Sequence, residues 1–340
     1  MPGKLLVRGS INCDEFFELP HIVRPGETIS SSAYSRRAGG KGANQSVAAA
    51  KAGAAVDFAG MVGHDGEWLR ETLEGYGVGV ALLGTDDKLA TGRAIIQLST
   101  SDAENCIVLF PGSNFSSTSP LSSVSLASSP YTHLLLQNEI PLSDTRSALA
   151  QAHEGGLKTI LNPSPMLKKE DLEAFEWEKL DWLIINEGEG EDLLAALLAG
   201  GDSATSTSPE DLLRRLRATP ALQGLEGLIM TRGSKGVTAS LRGAEAAVEA
   251  PAGKVVGKVV DTTGAGDCFT GFFATLLATL PPSSTLSPSA LRDILTISCQ
   301  AAAICCETNG AMESVPTLLA VKERMVESWV EGEWEELLRK

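Results

Sequence analysis

Residues 261–267 read DTTGAGD and run straight into an apolar stretch at 268–280. Gly264 and Gly266 let the backbone turn tightly and approach a ligand with no Cβ in the way. A helix starting behind such a turn leaves its first amides unbonded, with its positive dipole end beside them, and the two together make an anion site. Asp267, at the same helix start, is placed to take a proton from a hydroxyl. Meanwhile the amides of Gly264, Ala265, Gly266 and Asp267 would hold a phosphoryl group in transfer. An isolated G-x-G-D is an ordinary turn with a capping Asp, but the full heptapeptide ahead of a long apolar helix favours the chemical reading.

Two further groups of residues carry polar chemistry. Gly39 to Asn44 read GGKGAN and open a stretch, 45–52, made almost wholly of Ala, Ser, Val and Gln. This is not a Walker A loop, because Lys41 is followed by Gly42 rather than Ser or Thr. A helix of such small residues can pack close to another backbone, with Lys41 and Asn44 facing a cleft; taken alone, the motif reads as a Gly-rich helix cap. Gly9 to Asp14 read GSINCD and follow the first apolar strand, where ligands bind in open α/β sheets. Asn12 and Asp14 alternate with Ile11 and Cys13, so both leave on one face and suit neighbouring sugar hydroxyls, although an Asx-type turn explains them equally. No G-x-G-x-x-G occurs, since the third glycine would fall on Leu82, Leu193 or Phe269, so a dinucleotide-binding dehydrogenase loses its main support.

The elements that must position these groups alternate. Apolar runs at 4–8, 56–62, 133–137, 159–161, 182–185 and 228–231 read as strands covered on both faces. Between them, 45–52, 67–76, 142–153, 189–198 and 209–217 read as helices, the last opened by Ser208 with Pro209 at its first position. The alternation predicts one α/β domain over 1–340, a doubly wound, mainly parallel sheet with helices on both faces. Residues 14–37 and 91–111 break the pattern. Their pieces at 28–34, 93–98 and 106–110 predict a small antiparallel β lid set apart from the main sheet. Ser-rich stretches at 113–130 and 203–208 read as surface loops, and three helices are expected after the glycine turn, at 266–280, 288–306 and 318–338.

Composition bounds the partners. Of 340 residues, 43% are hydrophobic and 21% charged, enough apolar side chains for a full core. The 28 basic against 43 acidic residues leave a formal charge of −15, which argues against nucleic acid but not against a nucleotide held by local amides. No window approaches the roughly 20 apolar residues of a membrane helix, and residues 1–10 lack the features of a signal peptide. Six cysteines without C-x-x-C spacing read as reduced thiols of a cytoplasmic protein, with the nucleus also compatible; the four histidines lack metal-ligand spacing.

In this order and spacing the motifs resemble those of the ribokinase (phosphofructokinase-B) family of carbohydrate kinases. Residues 38–54 (AGGKGANQSVAAAKAGA) resemble its first signature and 261–269 (DTTGAGDCF) its second. The likeness spans nearly the whole chain through 105–114 (NCIVLFPGSN), 136–141 (LQNEIP), Asn162-Pro163, 186–189 (NEGE), 231–236 (TRGSKG) and 310–316 (GAMESVP). Within the family, GSINCD, GGKGAN and AENCIVLFPGSN look more like ribokinases than adenosine kinases or fructokinases.

The resemblance implies ATP-dependent phosphorylation of the 5-hydroxyl of D-ribose, with Asp267 as general base. It assigns the sugar to Asn12, Asp14, Gly40, Lys41, Asn44 and Glu139. ATP falls to Asn186, Thr231, Gly233, Ser234, Gly236 and Gly266, with Glu189 organising Mg²⁺ through water. An activating monovalent cation, usually K⁺, maps onto Asp261, Thr263, Cys305, Thr308, Gly310 and Ser314, several through backbone carbonyls. The lid would close over the sugar and pair with a second copy to form a homodimer. Fructose, a deoxy-sugar acid or a nucleoside are alternative acceptors, and a sugar or ATP sensor without catalysis is the alternative of another class. A nucleoside needs stacking surface, and 5% of this chain is aromatic.

Overall fold

The computed structural model describes residues 3–102, 104–198, 208–280 and 286–328. Most of the expected Ser-rich loop at 203–208, and the expected last helix beyond 328, lie outside the described residues.

Elements follow in the order β1 (Lys4–Arg8), β2 (Asn12–Leu19), β3 (Ala33–Gly39), α1 (Lys41–Lys51), β4 (Ala55–Gly63), α2 (Glu67–Gly75) and β5 (Gly79–Asp86). Next come β6 (Gly92–Ser99), β7 (Asn105–Phe110), β8 (His133–Gln137), α3 (Leu142–Glu154), β9 (Lys158–Asn162), α4 (Lys169–Glu173) and β10 (Trp182–Asn186). The remainder is α5 (Glu187–Leu197), α6 (Pro209–Ala218), β11 (Gly227–Thr231), β12 (Val237–Leu241), β13 (Val248–Ala250), α7 (Ala265–Ala278), α8 (Pro288–Cys305) and α9 (Leu318–Ser328).

Nine strands form the main sheet in the order β13-β12-β11-β10-β9-β8-β1-β4-β5. Pairing is parallel from β5 to β11 and antiparallel only at the β11–β12 and β12–β13 edge. Unbroken apolar runs make such strands because both faces are covered. On β1, Leu5 and Val7 enter one core while Leu6 enters the other; on β8, Leu135 enters the first while Leu134 and Leu136 enter the second. The doubly wound expectation holds, with β5, β12 and β13 extending the sheet beyond the six strands foreseen. Ser208 caps α6 by accepting from the Asp211 amide at 3.1 Å, with Pro209 in its first turn.

The second sheet has the order β3-β2-β6-β7. Its outer pairs are antiparallel and its central pair, β2 with β6, is parallel, in register from Asn12 opposite Gly92 to Leu19 opposite Ser99. The strand expected at 28–34 starts later, at Ala33, because pairing with β2 carries β3 to Gly39, at the mouth of the glycine loop.

The order of the main sheet reverses between β1 and β8. Segments 9–12 and 138–141 leave the carboxyl ends of those two strands, at the crevice where open α/β sheets take ligands. Above it α1 and α7 lie almost backbone to backbone. A Cβ on Gly271 would fall 2.5 Å from the Ala48 Cβ and 2.6 Å from the Gln45 carbonyl oxygen. Among the described residues no helix is long and apolar enough to cross a membrane.

Gly271→Ala forces those two helices apart and should lower the free energy of unfolding by about 1–3 kcal/mol. Urea unfolding followed by circular dichroism measures it; an unchanged midpoint contradicts the packing described.

Candidate active site

The glycine turn and α7 meet as the sequence indicated. Gly264 occupies the N-cap of α7 with φ 78°, in the left-handed region, where a Cβ would also press to 2.8 Å from the Ala311 Cα. Ala265 turns its amide back to the Thr262 carbonyl at 3.3 Å. Among the described residues no protein acceptor meets the amides of Gly264, Gly266 and Asp267, which stay free for an anion. Asp267 follows at once and is 7% exposed. Its Oδ2 accepts from Asn44 Nδ2 at 3.0 Å and its Oδ1 from Gln45 Nε2 at 2.9 Å. A carboxylate thus stands beside the open amides of one helix, held by two neutral donors from another.

Those donors sit on α1, whose N-terminus has no side-chain cap of its own. A carboxylate from elsewhere takes that place. Glu139, two residues beyond β8, accepts from the Lys41 amide at 2.9 Å and from Ser10 Oγ at 2.5 Å. The Ser10 carbonyl accepts from the Ala43 amide at 2.9 Å, so the loop after β1 is laid along the first turn of α1. Asn12 lies in β2 with its Oδ1 taking Asn114 Nδ2 at 2.7 Å, while Asn114 Oδ1 accepts from the Ile11 amide at 2.9 Å.

Asp14 points into the same neighbourhood. Burial, then the charges of Glu139, Glu313 and Asp267, push its carboxyl up to about 7. Asn12, Asp14, Asn44, Glu139 and Asp267 are therefore gathered at one place, as the motif reading required.

On the other side of Asp267 opens a cleft of about 250 Å³, lined in part by Lys41, Asn186, Glu189, Thr231 and Gly266. Asn186 and Glu189 hold each other in a capping box at the start of α5: the Glu189 amide donates to Asn186 Oδ1 at 2.8 Å and the Asn186 amide to Glu189 Oε2 at 2.9 Å. Residues 231–236 form a tight turn in which the Arg232 amide donates to the Gly236 carbonyl at 2.8 Å, placing Gly233 and Ser234 at its tip. Among the described residues no three His, Cys, Asp or Glu groups gather to hold a metal ion.

A third cluster lies behind the turn. Asp261 Oδ1 accepts from the Thr263 amide at 2.9 Å and Oδ2 from the Gly310 amide at 3.1 Å. Burial opposes ionisation there, but the Thr263 hydroxyl, these amide bonds and the nearby Arg37 prevail and hold the carboxyl below its ordinary value. The Cys305 thiol lies 2.9 Å from the Ser314 hydroxyl, which donates to the Gly310 carbonyl. Asp261, Thr263, Cys305, Gly310 and Ser314 are thus brought together, Thr263 meeting Asp261 through both its amide and its hydroxyl, whereas Thr308 sits exposed on the turn before them. A carboxylate among carbonyl and hydroxyl oxygens suits a hard alkali cation, and the set fits that use. Lys51 Nζ pins the same loop by donating to the Met312 and Val315 carbonyls at 3.0 and 2.8 Å, and burial lowers its pKa.

Sequence reasoning gave no role to Ser10, Gln45, Lys51, Asn114 or Gln137. Polar residues closing apolar elements, such as Gln45 in a helix of alanines and Gln137 after three leucines, were the available signal.

The chain is similar to known proteins over nearly its whole length. The pfkB family carbohydrate kinase profile matches residues 3–318. A ribokinase of Haemophilus influenzae is 33% identical over 323 residues, which cover 93% of this chain and 96% of that protein. Among solved structures, ribokinase from Cryptococcus neoformans var. grubii serotype A in complex with ADP superposes with a TM-score of 0.82 at 44% identity, covering 95% of this chain and 99% of that one. Arabidopsis thaliana ribokinase complexed with ribose and ATP gives 0.80 at 28% identity, over 96% and 99%.

Proposed function

The chain belongs to the pfkB family of carbohydrate kinases, and we propose that its reaction transfers the γ-phosphoryl group of ATP to the 5-hydroxyl of D-ribose, giving ribose 5-phosphate. The observation that carries this reading is the Asp267 carboxylate, held by Asn44 and Gln45 directly beside the open amides of the α7 turn. The ribokinase identity of the relatives, and the ribose and ATP of the Arabidopsis complex, support the choice of sugar and nucleotide.

In the proposed division of labour, Asp267 takes the hydroxyl proton as the oxygen attacks phosphorus, and the open amides of Gly264, Gly266 and Asp267 receive the charge that develops on the phosphoryl oxygens. The Ala265 amide, expected to join them, is spent on the Thr262 carbonyl. Asn12, Asp14, Asn44 and Glu139 hold the sugar hydroxyls, with Gly40 and Lys41 closing that side. Asn186, Thr231, Gly233, Ser234, Gly236 and Gly266 hold the phosphates and ribose of ATP across the cleft. Mg²⁺ would enter on the nucleotide's phosphates, with Glu189 facing it through water, and would neutralise phosphate charge there. K⁺ at Asp261, Cys305, Gly310 and Ser314 would supply a fixed positive charge behind the amide turn.

The four-stranded sheet over 14–37 and 91–111 is the proposed lid of a single ribokinase-like domain, excluding water when sugar is bound. Its edge strand β7 exposes Ile107, Val108, Leu109 and Phe110, and the neighbouring β6 exposes Ile95, each between 36% and 57% accessible. Apolar strands of that kind call for a cover, and a second copy of this chain supplies one, giving a homodimer. All six cysteines are unpaired, which suits a reducing compartment, and we place the reaction in the cytoplasm.

A coupled ADP-release assay over ribose, fructose, deoxy-sugar acids and adenosine, with and without K⁺, tests the assignment. Ribose should give the highest kcat/KM and K⁺ should raise it, while a flat signal with every acceptor would favour a sensor. Asp267→Asn should lower kcat by about 10²–10⁴ with ribose binding retained, the usual worth of a general base. Because the Asp14 carboxyl is pushed up to about 7 and accepts from sugar hydroxyls more strongly when ionised, KM for ribose should rise as the pH falls below that value. Asp14→Asn should flatten the profile, and a pH-independent wild-type KM removes Asp14 from the sugar. For the dimer, light scattering should show two copies for the wild type and one for Leu109→Arg; a monomeric wild type refutes it.

A further inference from the structure

Gln45 and Gln137 have no place in the roles above, yet both are fully buried, at 0% exposure, behind Asp267. The Gln45 carboxamide is used completely. Its Nε2 gives one hydrogen to Asp267 Oδ1 at 2.9 Å and one to Asn162 Oδ1 at 3.2 Å, and its Oε1 accepts from Gln137 Nε2 at 2.6 Å. Asn162 is fixed in turn, its Nδ2 donating to the Ile184 carbonyl at 2.9 Å.

Each amide in this row has one workable orientation. An ionised carboxylate only accepts, so the nitrogen of Gln45 must face Asp267, its oxygen must face Gln137, and the nitrogen of Gln137 must point inward. Gln137 Oε1 is left without a donor among the described residues. It lies over the Gly9 backbone, where a Cβ would come within 2.0 Å of it. A buried acceptor with no donor costs about 1–3 kcal/mol. Turning the Gln137 amide over would relieve that cost only by setting its oxygen against the oxygen of Gln45, 2.6 Å away. The unpaired oxygen is the terminus of a directional row that begins at the carboxylate.

We propose that Gln45 and Gln137 are positioning residues, a two-amide relay that fixes the rotation of the Asp267 carboxylate so that its remaining lone pair faces the hydroxyl to be phosphorylated. Neither lines the cleft, and each acts through its neighbour: Gln137 on Gln45, Gln45 on Asp267. The relay rests on the reading of Asp267 as the base. Asn44 grips the other oxygen, Oδ2, at 3.0 Å, so losing Gln45 leaves the carboxylate attached at one point and free to swing. A displacement of about 1 Å at a reacting group can cost about a hundredfold in rate.

The test is a double-mutant cycle read as kcat and KM on folded enzyme. Gln45→Leu should lower kcat by about tenfold to a hundredfold, with KM for ribose and ATP held within about twofold. Gln137→Leu should lower kcat severalfold in the wild-type background and not at all in the Gln45→Leu background, because its only route to the base is gone. Independent, multiplying effects overturn the relay, as do losses confined to KM or to stability. Should Gln45→Leu fail to fold, Gln137→Leu alone decides: reduced kcat at constant KM supports the relay and unchanged kcat refutes it. Asp267→Asn, run alongside, separates the two failures. Turnover that survives in that variant removes the base and the relay with it, whereas turnover lost there but intact in Gln45→Leu removes the relay alone.

Discussion

A carboxylate that must stand beside an anion site and still receive a proton cannot be oriented by a cation. A lysine or arginine in contact with Asp267 would hold its negative charge too firmly for it to act as a base. Neutral carboxamides orient it instead, and both of them, Asn44 and Gln45, come from one turn of α1. Amides reach only about 3 Å, so the separation of α1 and α7 becomes the controlling dimension of the molecule. The alanines of α1 and the bare backbone at Gly271 follow from that requirement.

The same neighbourhood collects acid. Glu139, Glu313 and Asp267 all lie within electrostatic reach of Asp14, and together with burial they raise its carboxyl. Helix termini offset part of this charge: the first amide of α1 is spent on Glu139, and the first turn of α7 offers its amides beside Asp267. Beneath them Arg8, 2% exposed, binds Asp144 at 2.7 Å and the Gly9 carbonyl at 3.1 Å, anchoring the strand end from which the loop at 10–12 departs. Such a buried pair is costly to form. Its placement at the switch point between β1 and β8 ties the loop to the sheet rather than to solvent.

Much of this was legible beforehand. Glycines with an aspartate ahead of an apolar helix announce an anion turn because few other uses need that combination, and apolar runs without alternation announce a covered parallel sheet. The parallel β2–β6 pairing was not legible, since strand partners depend on closures across some 80 residues rather than on local pattern. Nor was β5, whose residues are half exposed and interrupted by glycine. The family resemblance placed Thr308 with the cation oxygens, whereas the turn before Gly310 leaves it exposed. The relay escaped notice for a different reason. A glutamine inside a helix has no motif, and its meaning lies wholly in what three other elements bring to it.

One contact links this site to the order in which the protein is made. The first turn of α1 is capped by Glu139, 98 positions further along the chain, rather than by a residue of its own. During synthesis the glycine loop and its helix emerge long before the carboxylate that finishes them. Closing so long a loop is an entropic cost met only when β8 has docked beside β1. The N-terminal end of α1 is therefore completed by tertiary assembly and not by helix propensity, which makes an ordered glycine loop a late sign that the surrounding sheet is in place.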